Sequence, residues 1–153
     1  MPVFTSRIET RHTLVGVSRD GRRLLAALGR REAELSIALC DDVFIRAQNL
    51  QWRGKDAATD VLSFGQNDPR ILGDVLISVE RAAEQAAELG HDLPTELRIL
   101  LVHGLCHLLG HDHEDAESAG RMRAQERLLL TTLGVATASL IARAEGDEGP
   151  PER

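Results

Sequence analysis

Residues Pro94 to Leu109 constrain this chain more than any other stretch. Leu97, Ile99, Leu100, Leu101, Val102, Leu105, Leu108 and Leu109 put apolar side chains on nearly every side of a helix. A helix that is apolar all round is stable only with other elements packed about it, so this segment belongs at the centre of the domain. Its second half nevertheless runs into a dense polar array, His103-Gly104-Leu105-Cys106-His107-Leu108-Leu109-Gly110-His111-Asp112-His113, which holds four of the chain's six histidines. His103 and His107 are four residues apart and share one face of the helix, where two imidazoles reach a single cation. Gly110 suits the left-handed position that ends a helix and lets the chain turn back to bring His113 round as a third ligand. Three neutral nitrogens with one position left open make a catalytic zinc site rather than a structural one, and a buried helix gives such ligands rigid support. His111 is expected to line the site, and is the alternative third ligand if the helix runs on through Gly110.

The spacing H-x-x-x-H-x-x-G-x-x-H is the ligand frame of the metzincin proteases, whose signature carries a glutamate directly after the first histidine. That glutamate is the general base acting on water at the zinc. This chain has Gly104 there. The frame therefore points to the metal and away from the protease.

Charge bears on what such a site could act upon. Lys and Arg number 18 against 24 Asp and Glu, a net charge of -6, which counts mildly against a polyanionic substrate but leaves room for a local basic groove. Cys40 and Cys106 are far apart and form no disulfide framework, so a reducing cytoplasm is the expected compartment. No apolar run is long enough to span a bilayer, and Met1 to Asp20 has no signal-peptide pattern.

Along the chain, β-branched runs over Val3 to Ile8 and Thr13 to Ser18 suggest two strands with a turn at Arg11 and His12. Asp20 is placed to cap a helix over Gly21 to Leu28. Glu34 to Cys40 alternates as a half-buried strand, and Asp41 and Asp42 sit where an N-cap belongs for a helix reaching about Leu50. Gln51 to Thr59 is expected as a polar loop containing Arg53 and Lys55, followed by a strand from Asp60 to Phe64 and a loop from Gly65 to Arg70. Leu72 to Ser78 should be a central strand, and its Asp74 is expected to hold an arginine or backbone donors, since an unpaired buried carboxylate is costly. Val79 to Leu89 and Asp115 to Leu133 complete the helices, the latter with Arg121, Arg123, Glu126 and Arg127 on its wet sides. The expected fold is α+β: a single domain over residues 1–142, with about four strands in one mixed sheet packed against helices and the metal helix central. Residues 143–153, rich in Gly, Pro and charge, are expected to form a disordered tail.

Four blocks in this order, Asn49 to Asp56, Thr59-Asp60-Val61-Leu62-Ser63-Phe64, Leu72-Gly73-Asp74 and His103 to His113, resemble the YbeY family of single-strand-specific endoribonucleases, whose motif is H-G-x-L-H-L-x-G-Y-D-H. The resemblance covers about Asp20 to Leu133. It implies a zinc-dependent nuclease acting in ribosomal RNA maturation, chiefly at the 3′ end of the small-subunit RNA, and in ribosome quality control. Its partners would be single-stranded RNA and the ribosome or a small-subunit precursor, with no membrane, and the protein is expected to be a monomer. Position by position, His103, His107 and His113 match the family's metal ligands, and Arg53 matches an arginine needed for activity. Departures are Cys106 for a leucine, His111 for a tyrosine, Trp52 for a tyrosine, and Ala58 and Gly65 where prolines are common.

The expected chemistry uses one zinc ion to activate water and polarise a phosphoryl oxygen, with the Arg53 guanidinium on the charge that develops at phosphorus. With Gly104 in place of a base, zinc hydroxide attacks directly or His111 or Asp112 relays the proton; Asp112 also suits a role orienting a ligand. Lys55, Arg121, Arg123 and Arg127 are candidates to track the RNA backbone. Two rivals remain: a metal-dependent hydrolase of another substrate class on the same frame, and a non-catalytic ribosome-assembly factor with structural zinc.

Overall fold

The computed structural model describes residues 10–68, 70–112 and 114–135. In chain order the elements are helix α1 (Thr10–Ala27), strand β1 (Glu34–Cys40), helix α2 (Asp42–Arg53), strands β2 (Val61–Asp68) and β3 (Ile71–Ser78), and helices α3 (Val79–Leu89), α4 (Leu93–Leu108) and α5 (Ala116–Thr132). The sheet order is β1-β3-β2, with β1 parallel and β2 antiparallel to β3. The α+β class and the central position of β3 are as expected, and α4 is the hub of the helical layer. Among the described residues the sheet has three strands rather than four.

The second of the two expected N-terminal strands is helical instead. Thr13 to Ser18 lies inside α1, and no turn interrupts the helix at Arg11 and His12. The β-branched run of this segment favours a strand locally, but Leu14, Val17, Leu24, Leu25 and Leu28 pack into the main core at helical spacing, and burial on that period overrides a weak local propensity. Asp20 is consequently not a cap but a buried residue within α1, with its carboxylate 3.0 Å from Arg98 Nε of α4. The expected strand over Val3 to Ile8, the tail 143–153 and His113 lie outside the described residues.

Strand alternation divides the core in two. Leu39, Val61, Val75 and Ile77 face α1, α4 and α5, while Ala38, Cys40, Leu62 and Leu76 face Ile45 of α2. Helix α4 lies on the first face with Leu100, Leu101, Val102 and Leu105 fully buried. Its start is cut by Asp92, whose side chain accepts from Thr95 N–H, with Pro94 in the first turn. Glu96 is fully buried in that turn and shares a 2.7 Å hydrogen bond with His91 Nε2, which offsets the cost of taking a carboxylate out of water. No helix among the described residues is long and apolar enough to cross a membrane.

Two boundaries shift toward the site. Helix α2 runs on to Arg53 and is capped by Gly54, so Trp52 and Arg53 stand on its last turn rather than in a loop. Strand β2 continues through Asp68 instead of ending at Phe64: residues 61–65 pair residue by residue with β3 as far as Gly73, and after a register shift Asp68 pairs with Ile71.

Candidate active site

Gly104 determines how close α4 comes to the sheet. A Cβ at this position would stand 2.8 Å from Val75 Cγ1 and 3.0 Å from Ser63 Oγ, closer than packed atoms allow. The Ser63 hydroxyl donates to the Gly104 carbonyl at 3.0 Å, pinning helix to strand at the same point. The position after His103 therefore faces the sheet, and a glutamate there would have to force the two layers apart. The glycine is not simply a base left out; the backbone contact occupies the place where one would stand.

His103 and His107 project from the next face of α4, half-buried, with ring centroids 4.8 Å apart and planes at 79°. His103 Nδ1 lies 2.7 Å from Glu126 Oε2 of α5. A carboxylate on Nδ1 favours the tautomer with its proton there, which leaves Nε2 as the lone-pair nitrogen. Two imidazoles one turn apart, one of them held by a carboxylate, are the donor set that a zinc ion takes, and His103 and His107 fit it. Among the described residues no group of three His, Cys, Asp or Glu side chains is arranged about a common point; His113 lies outside them.

Sequence reasoning placed Glu126 on the wet side of its helix, among arginines. The signal that could have found it is its spacing: Met122, Glu126, Leu129, Leu130 and Leu133 fall on one stripe, and the apolar members are all buried. A carboxylate within a buried stripe requires a partner, and here the partner is His103.

Leu109 caps α4 and Gly110 follows with φ 96°, a left-handed conformation that glycine adopts without strain. The reversal is tied by the His111 N–H, which donates to the Cys106 carbonyl at 3.0 Å. His111 and Asp112 thus follow the helix end as half-buried residues outside any helix or strand. The Asp112 carboxylate accepts from Glu114 N–H at 3.2 Å, so it braces the loop that leads into α5. Cys106 is fully buried, and burial pushes its thiol up to about 12, with Glu126 adding to the shift. It serves as an apolar side chain, as the leucine of the resembling motif would.

Arg53 arrives from the opposite layer. From the last turn of α2 it reaches over β2, an edge strand, and its guanidinium donates to the Ser63 carbonyl while its Cζ sits 5.1 Å from the centre of the Phe64 ring. Arg53, Val61, Ser63, Gly65, His107 and Leu108 line one cavity of about 240 Å³. The guanidinium and the second imidazole of the pair therefore open on a common space at the sheet's edge. The turn after α2 is tied back to the helix by Asn49, buried, whose amide donates to the Ala57 carbonyl at 2.8 Å, and by Arg46 on Asp56 at 2.8 Å. Asp74 lies on the other face of the sheet, opposite Phe64 in register, and so is not among the lining residues.

The family profile described as Endoribonuclease YbeY matches residues 19–134. The chain belongs to this family. The matched span runs from α1 to the end of α5 and takes in every residue of the cavity. Similar proteins include the chloroplastic endoribonuclease YBEY of Arabidopsis thaliana, 50% identical over 76% of this chain and 21% of the plant protein. The endoribonuclease YbeY of Anaeromyxobacter sp. (strain Fw109-5) is 48% identical over 84% of this chain and 66% of its own length. The chain thus spans less than two thirds of either relative. A solved structure of the same fold, the solution structure of TM1509 from Thermotoga maritima, covers both chains fully with a TM-score of 0.62 at 21% identity. Within the YbeY family setting, the glycine contact at 104 and the reach of Arg53 over the edge strand β2 give the signature residues physical jobs that the motif alone does not reveal.

Proposed function

We propose that this chain is a zinc-dependent, single-strand-specific endoribonuclease that works in ribosomal RNA processing, at the 3′ end of the small-subunit RNA, and in ribosome quality control. The observation that carries the proposal is the shared cavity: His107, one turn from His103, and Arg53 line a single space in a chain of the YbeY family. His103 and His107, with His113, would hold one zinc ion, which when bound supplies a Lewis acid for a phosphoryl oxygen and acidifies water.

The chain's own residues supply the rest. Arg53 presents a planar, cationic fork of donors, suited to the equatorial oxygens of a phosphorus centre as charge accumulates there. Glu126 fixes the His103 ring and its tautomer, so the ligand is oriented before substrate arrives. His111 and Asp112, on the segment leaving α4, are the groups within the motif able to accept and pass on a proton; Gly104 is not. Lys55, one residue past the cap of α2, adds positive charge beside Arg53. The working unit is read as one domain over residues 1–142, acting as a monomer in the cytoplasm.

Purified, nuclease-free protein should cut single-stranded RNA, leave duplex RNA and casein intact, lose activity to a chelator and regain it with zinc. Digestion of casein would favour a peptidase on the same ligand frame. Failure to cut RNA with zinc bound would favour a non-catalytic assembly role.

A further inference from the structure

The chain has one tryptophan, and 61% of Trp52 is exposed. A tryptophan contributes most to stability when its large apolar surface is covered, yet this one stands on the exposed last turn of α2, a helix whose buried residues are Ile45 and Asn49. Ile45, Asn49 and Trp52 follow one another at helical spacing on the side of α2 that faces the sheet. The first two are covered; Trp52 lies on the last turn, past the end of that cover. Its ring is not left to swing. The indole N–H donates to Gln48 Oε1 at 3.1 Å, one turn back, which fixes the orientation of the exposed ring before anything binds.

What surrounds the ring indicates what it would meet. Arg53 is the next residue, its Cα about 3.8 Å away, and it lines the cavity with His107. Lys55 follows two positions later. An apolar partner surface would have to cover this cationic edge, whereas a nucleic acid strand satisfies both features, its phosphates taking the cations and its bases presenting π faces. A base can lie on a side chain only when it is unpaired and turned out of a stack, so a platform here discriminates by strandedness without reading sequence.

We propose that Trp52 is a stacking platform for an unpaired base adjoining the phosphate that Arg53 engages. This rests on the reading of the chain as a single-strand nuclease and adds to it a positioning residue outside the metal site. The ring acts on binding and alignment and takes no part in bond breaking.

The lone tryptophan makes its own reporter. A single-stranded oligoadenylate with phosphorothioate linkages, which resists cutting, should quench the protein's tryptophan fluorescence. An abasic strand of equal length or a blunt duplex should not. On ordinary single-stranded RNA, Trp52→Ala should raise KM roughly tenfold with kcat unchanged, Trp52→Phe should stay near the parent, and Leu50→Ala, an exposed apolar change on the same helix, should have no effect. If the parent cuts single-stranded RNA while its fluorescence is indifferent to the oligoadenylate and Trp52→Ala keeps the parental KM, the platform is refuted and the nuclease reading stands. If the parent neither binds nor cuts RNA, both fall together.

Discussion

Helix α4 and the last turn of α2 both deliver side chains to the cavity, by different means. His103 and His107 stand on a helix whose Leu100, Leu101, Val102, Leu105 and Cys106 are fully buried, with Gly104 in contact with the sheet and Glu126 reaching in from α5. Arg53 stands on an exposed helix end, held by one backbone carbonyl and the face of one ring. The first half of the site is made of the same atoms that make the core. The second half is fastened to the core's edge. A change on the α4 side should therefore disturb stability and chemistry together, and a change on the α2 side should disturb chemistry alone.

The largest test of that contrast is His107→Ala. It should abolish metal retention and lower the cutting rate at least about a thousandfold, read by metal analysis beside an RNase assay. Arg53→Ala should lower kcat by roughly a hundredfold or more with metal content intact and Tm within about 2 °C of the parent; a parental kcat would remove Arg53 from the reaction. Glu126→Gln should weaken zinc affinity by about 10- to 100-fold, measured by competition with a chromophoric chelator, and unchanged affinity would mean that the His103 ring needs no carboxylate to hold it. Gly104→Ala should lower Tm by about 5 °C through overpacking, and Gly104→Glu should fail to fold stably rather than gain peptidase activity. The smallest effect is expected at Arg46→Ala, which frees an exposed ion pair with Asp56 and should leave Tm unchanged. A clear loss of stability there would mean that the α2 side is built into the core after all.

The parts of the site legible in the sequence are those set by local spacing. His103 and His107 at four residues apart, the Gly110 reversal and the Asp41 cap are all fixed within one turn of chain, and helices α3, α4 and α5 stand within a residue of their expected bounds. What spacing cannot carry was misplaced. The β-branched run from Thr13 to Ser18 became part of α1 because the apolar residues of that helix are buried on a helical period that only the assembled core rewards. Arg53 moved from loop to helix because Gly54, two residues past Trp52, was the true stop. Glu126 needed a partner 23 residues away in sequence, and its neighbours Arg121, Arg123 and Arg127 disguised it as one more solvated charge. Gly104 was visible as the lack of a base, but that it also spaces two layers required the strand beneath it.

The acceptor that holds Arg53 in place is neutral. A guanidinium on a backbone carbonyl is parked rather than locked, because an anionic oxygen forms a hydrogen bond about twice as strong and nothing oppositely charged need be displaced to free the fork. Under the proposed function, an incoming phosphate would borrow the arginine from the strand edge and leave the Ser63 carbonyl to water. The resting protein keeps its cation within reach of the cavity at little cost, and on the proposed reading release after cutting would be helped by the same exchange run backwards, the fork returning to Ser63 as the product leaves.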